Sequence, residues 1–108
     1  MVLCTNLATI SQQIRFVVRQ PTGALVANKT FALLGLRTFV AATHEPRSYP
    51  SDASLSLGIT ISGGSIFVSA TTNAVFCTAM TIDAAGSTPG FGVELHAVQF
   101  NPYAGSVE

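Results

Sequence analysis

Charge is what this chain has least of. Asp, Glu, Lys and Arg make up 9% of its 108 residues, where globular domains average about 25%. Five acids balance five bases, Lys29 is the only lysine, and the pI lies near 6.7. A surface built from Thr, Ser, Ala, Gly and Asn suits an extracellular module, or a subunit that buries much of its surface in an assembly. Nucleic-acid binding needs clustered positive charge. Arg15 and Arg19 share one strand face and Arg37 and Arg47 lie elsewhere, so no nucleic-acid partner is expected.

Long apolar runs are missing too. No stretch approaches the ~18–20 apolar residues of a membrane span, and Met1-Val2-Leu3-Cys4 lacks the basic start of a secretory signal. The expectation is a cytoplasmic or particle-associated protein, unless a leader has been removed. A hydrophobic content of 48% excludes intrinsic disorder, and residues 1–108 are expected to form a single domain. Two cysteines, Cys4 and Cys77, leave two readings open. They form a disulfide pinning the N-terminal segment to a central strand, or they are small buried thiols in a reducing compartment.

Catalytic and cofactor motifs are equally scarce. There is no CxxC, HxxxH or HExxH for zinc, no GxSxG, no GxxxxGK[ST] and no GxGxxG. Glu94 and His96 lie two apart on one strand and would need His44 or Cys77 from elsewhere to complete a metal site. Asp52 and Asp83 fall in different loops, which leaves a paired-carboxylate site unsupported. No enzyme activity, cofactor or metal is expected. Asn28-Lys29-Thr30 is a glycosylation sequon, meaningful only in a eukaryotic secreted chain.

What is present is alternation. In LSLGITISGGSIFVSAT (55–71), Leu55, Leu57, Ile59 and Ile61 share one parity, and Gly63-Gly64 stands where a two-residue hairpin turn belongs. That spacing predicts a hairpin pairing Ile61 with Ile66, Ile59 with Val68 and Leu57 with Ala70. A further turn at Thr72-Asn73 sets Val75, Cys77 and Ala79 beside the same face. The reverse face then carries Phe67, Phe76 and Met80, too apolar to face water comfortably, and is predicted to be an interface.

Upstream, ISQQIRFVVR (10–19) puts Ile10, Gln12, Ile14, Phe16 and Val18 on one strand face, with a turn at Pro21-Thr22-Gly23. A helical stripe through Leu7, Ile10, Ile14 and Val17 competes with it. Residues 24–42 are apolar on both parities, as in a strand buried on both sides with Gly35 as a bulge or bend; a short helix over 31–36 is the alternative. Residues 43–54 and 84–92 read as loops, 93–100 as a last strand ended by Asn101-Pro102, and 103–108 as a loosely held tail.

These segments predict an all-β fold: an antiparallel β-sandwich of immunoglobulin-like or jelly-roll type with six to eight strands, or alternatively a small β-barrel. The function expected is that of a non-catalytic structural or interaction module working through subunit contacts, such as a virion component or another homo-oligomer. The alternative is a carbohydrate- or protein-binding module at a cell surface. Its candidate ligand loops hold Tyr49, Asp52, Phe91, Asn101 and Tyr103, and the lack of tryptophan counts against it.

Overall fold

A computed structural model describes residues 1–44, 51–61, 63–82 and 92–94. Every regular element among them is a strand: β1 (Val2–Asn6), β2 (Gln12–Arg19), β3 (Leu25–Leu33), β4 (Thr38–Ala42), β5 (Ala53–Ser54), β6 (Ser65–Ala70), β7 (Val75–Ile82) and β8 (Gly92–Glu94). They form two sheets, ordered β5-β4-β1-β7-β8 and β3-β2-β6. The chain is all-β, with the layering of a β-sandwich. Among the described residues no helix is long and apolar enough to cross a membrane.

Strand β2 organises the smaller sheet. Its inward parity is Gln12, Ile14, Phe16 and Val18, all buried, as the alternation predicts; Ile10, predicted on the same face, lies before the strand in the β1–β2 loop and is exposed. On one side Ile14, Phe16 and Val18 face Phe31, Lys29 and Ala27; on the other they face Ala70, Val68 and Ile66. Phe16 meets Phe39 of the opposite sheet at 6.4 Å between ring centroids, and Phe31 lies 5.1 Å from Phe39. Val2, Cys4 and Ala41 complete the core from the larger sheet. Such aromatic contacts add about 0.5–1.5 kcal/mol each beyond the area they bury.

The predicted hairpin is corrected by this pairing. Residues 55–61 form no strand, and β6 pairs with β2 instead. Ser56 at φ +50° and Gly58 at φ +73° break the extended backbone that a hairpin arm needs. Leu55 is nonetheless buried and Leu57 and Ile61 pack against the core, whereas Ile59, predicted on the same face, is exposed, so the alternation records burial in part and not pairing. A Cβ on Gly64 would collide with the Arg19 carbonyl; only glycine lets the chain approach β2 this closely as β6 begins.

Strand β7 is corrected likewise. Val75, Cys77 and Ala79 do point into the core, but β7 lies in the other sheet, between β1 and β8. Residues 24–42 are two strands in different sheets, bent at Gly35 as expected, with no helix over 31–36. Residues 53–54, expected in a loop, form β5 and pair in parallel with β4, the one departure from antiparallel order among the described residues. Strand β8 begins at Gly92; the rest of the predicted strand to residue 100, and the tail, fall outside the described residues.

The cysteines are joined. Cys4 and Cys77 sit directly opposite on β1 and β7, with Cα atoms 4.1 Å apart. Their bond closes a loop of sequence separation 73, for which the chain-entropy relation gives about 4 kcal/mol of stabilisation. The double substitution Cys4→Ala, Cys77→Ala is expected to lower the unfolding free energy by about that amount. Urea denaturation would show it, and the wild-type protein in reductant should approach the same midpoint.

Candidate functional site

The buried polar residues are concentrated at one pole of the sandwich. Asn6 and Gln12 are the polar side chains buried among the described residues. The Asn6 amide donates to the Ile10 carbonyl at 2.8 Å and the Leu33 carbonyl at 3.2 Å, with the Leu34 carbonyl at 3.3 Å. Its Oδ1 accepts from the Ala8 N–H at 2.9 Å and from Gln12 Nε2 at 3.2 Å. Gln12 Oε1 in turn accepts from the Thr72 hydroxyl at 2.8 Å and its N–H at 3.2 Å. No buried side-chain nitrogen or oxygen among the described residues lacks a partner. The network ties β1–β2, β3–β4 and β6–β7 together at one end.

What this scaffold presents to solvent is apolar. Leu7 is 66% exposed, Ile10 68%, Leu34 57% and Leu36 66%. All four belong to the β1–β2 and β3–β4 loops, which are bonded to each other. The Leu36 N–H donates to the Ala8 carbonyl at 2.9 Å, and a Cβ on Gly35 would collide with the Thr9 carbonyl. Leu36 itself sits at φ +57°, a left-handed conformation that is an outlier for a bulky residue and costs about 1–3 kcal/mol. Exposed, strained leucine is doubly unfavourable for an isolated fold, and such strain gathers at working surfaces.

The predicted interface trio is divided. Phe76 and Met80 lie on the outer face of the five-stranded sheet, and Phe67 on the outer face of the three-stranded one, so the three do not share a face. The reason is the strand crossing at 71–74, which a sheet-bound hairpin would not make. Phe76 is 56% exposed, in a row with Thr5 and Thr38, whose hydroxyls bond at 2.9 Å. Beside it run Val40, Leu3 and Thr78, so this part of the face carries no charged side chain. At its rim the Met1 amino group donates to the Met80 carbonyl, and burial pushes its pKa down, favouring the neutral amine.

The other candidates give less. Asp52 accepts from the Val40 N–H at 2.7 Å, which spends one carboxylate oxygen on holding the chain to β4. Tyr49, Phe91, Asn101 and Tyr103 fall outside the described residues, as do His96 and Arg47. Arg15 bonds Asn28 of the sequon and Arg19 bonds the Gly23 carbonyl, both local contacts on the sheet surface. His44 is exposed beside Thr43 and the Ile59 carbonyl. Among the described residues no group of three or more His, Cys, Asp or Glu could hold a metal.

Among the described residues, a shallow depression of about 190 Å³ lies beside Val17, Arg19, Ser65 and Phe67, and another of about 160 Å³ between Leu34, Arg37 and Asp52. Both fall below the ~300 Å³ where small-molecule sites begin. Comparison with known protein families, with curated proteins and with solved structures finds no match to this chain.

Asn6 and the apolar loops escape a local reading of the sequence. Gln12 on the apolar parity of β2 was the one available signal, since a buried amide needs a buried partner. Removing the Asn6 side chain should orphan several backbone carbonyls and the Gln12 amide, at about 1–3 kcal/mol for each buried group. Asn6→Ala is therefore expected to lower the unfolding free energy by about 3 kcal/mol, measured by urea denaturation with Leu36→Ala as the exposed control.

Proposed function

We propose that this protein is a non-catalytic structural or interaction module, and that it works through subunit contacts made by the apolar pole of Leu7, Ile10, Leu34 and Leu36. One observation carries the reading: Leu36 is exposed and left-handed, where Asn or Gly would be the unstrained choice. Its loop is fixed by hydrogen bonds to the buried Asn6 amide and to the Ala8 carbonyl, so the aliphatic tip is presented at little further cost in ordering. The uncharged face around Phe76 offers a second contact surface, and the low overall charge suits an assembled subunit.

Within the sandwich class we favour an immunoglobulin-like or jelly-roll type. The chain changes sheet between β1 and β2, β3 and β4, β5 and β6, and β6 and β7, as such topologies require. The disulfide suits assembly under oxidising conditions, at a cell exterior or in a particle that leaves the reducing cytosol. The carbohydrate-binding alternative rests on loop residues of which Asp52 is the described one, and Asp52 is engaged with Val40.

Leu36→Asn combined with Ile10→Asn removes apolar surface without touching the core, and Asn accepts the left-handed backbone. The wild type is expected to exceed 11.2 kDa in light scattering at micromolar concentration. The double variant should lose mass while its unfolding midpoint stays level or rises. A double variant that keeps the wild-type mass would remove the pole from the contact surface.

A further inference from the structure

The open edges of the two sheets are not alike. At one end of the larger sheet β5 has two residues, too short to template another strand; at the other, β8 is described over Gly92–Glu94. In the smaller sheet β3 is nine residues long but guarded. Lys29 stands opposite the buried Phe16, on the inward parity, and reaches across the flank toward the Ser54 carbonyl at 3.5 Å. An inward-pointing lysine on an edge strand is a standard block to edge pairing.

Strand β6 has no such block. Its sequence SIFVSA contains no charge and no proline, its ladder with β2 shows no bulge, and nothing among the described residues pairs along its other side. The Thr71 N–H donates to the Gln13 carbonyl at 3.1 Å. Counting by twos from that bond sends the backbone groups of Ser69, Phe67 and Ser65 to β2. Those of Ile66, Val68 and Ala70 are left pointing outward along the edge.

We propose that β6 pairs antiparallel with β6 of a second copy, joining two three-stranded sheets into one. This rests on the reading of the protein as a module of subunit contacts and names one of its partners. The edge is self-complementary. With Val68 facing its own counterpart on a two-fold axis, Ile66 faces Ala70, and every outward N–H meets an outward carbonyl. The inward side chains of these three residues already pack against the core, and the second copy extends that apolar layer across the open flank. On the outer face Phe67 lies opposite Ser69 of the second copy.

Electrostatics allows the pairing. The nearest charges on that face, Arg15 and Arg19 of β2, are separated from their counterparts by three strand spacings, roughly 14 Å, which exceeds the ~8 Å screening length at physiological salt.

The test is residue-resolved amide exchange by NMR alongside light scattering, on the wild type, Ser69→Lys and Leu36→Asn. The expected result is a species of twice 11.2 kDa. In it the Ile66, Val68 and Ala70 amides exchange more slowly as concentration rises, while Phe67 and Ser69 are slow throughout. Ser69→Lys, pointing outward beside the axis, should return the monomer mass and speed those three amides alone. If the protein associates with these amides fast at every concentration, and Leu36→Asn disperses it, edge pairing is overturned and the pole remains the contact. A monomer with the three amides slow would mean that another part of the same chain covers the edge, which also overturns the proposal. A monomer with them fast would sink both this pairing and subunit contact as the function.

Discussion

Much of the molecule converges on one buried amide. The Asn6 side chain has no access to water, so each of its polar atoms must find a partner inside the protein, and it finds them on different segments. Three interstrand connections that are distant in sequence are thereby held at a single point. The cost of leaving such a group unpaired is what makes the arrangement specific: a shift in any one connection would strand a carbonyl or an N–H. The apolar loops above it inherit their rigidity from this requirement and not from packing of their own side chains, which point away from the core.

The features that were legible in the sequence are those encoded over a few residues. Parity along Gln12–Arg19 identified the buried face of β2, and parity along Val75–Ala79 identified the inward residues of β7. Pairing was not legible, because it depends on contacts far apart in the chain. Leu57 and Ile61 alternate as a hairpin arm would, yet they bury against the core from an irregular segment. Phe67 and Phe76 have the same outward parity but stand on different sheets. Leu34 and Leu36 look like core residues by composition, and only the bend at Gly35, closed onto the Thr9 carbonyl, turns them outward. The cysteines became a pair only once β1 and β7 were neighbours.

Scarcity of charge gives the few charged residues structural weight. Lys29, the chain's sole lysine, sits on the edge strand β3 opposite the buried Phe16. Asp52 anchors β5 to β4. The arginines of β2 are engaged with neighbouring polar groups on the surface. Solubility in such a protein rests on hydroxyl and amide groups, which tolerate burial against another subunit far more cheaply than ammonium or carboxylate groups do.

The bond between β1 and β7 also has a mechanical side. Pulled from its two ends, a chain without cross-links pays out nearly its full contour. Here the covalent path from Cys4 to Cys77 short-circuits the segment between them, with sequence separation 73. At roughly 3.4 Å per extended residue, roughly 250 Å of chain is withheld from any applied tension. Covalent tension entering near Met1 passes through sulfur into β7 and bypasses the segment that carries β2 and the core phenylalanines. While oxidised, the segment between Cys4 and Cys77 cannot be drawn out by tension applied on either side of it.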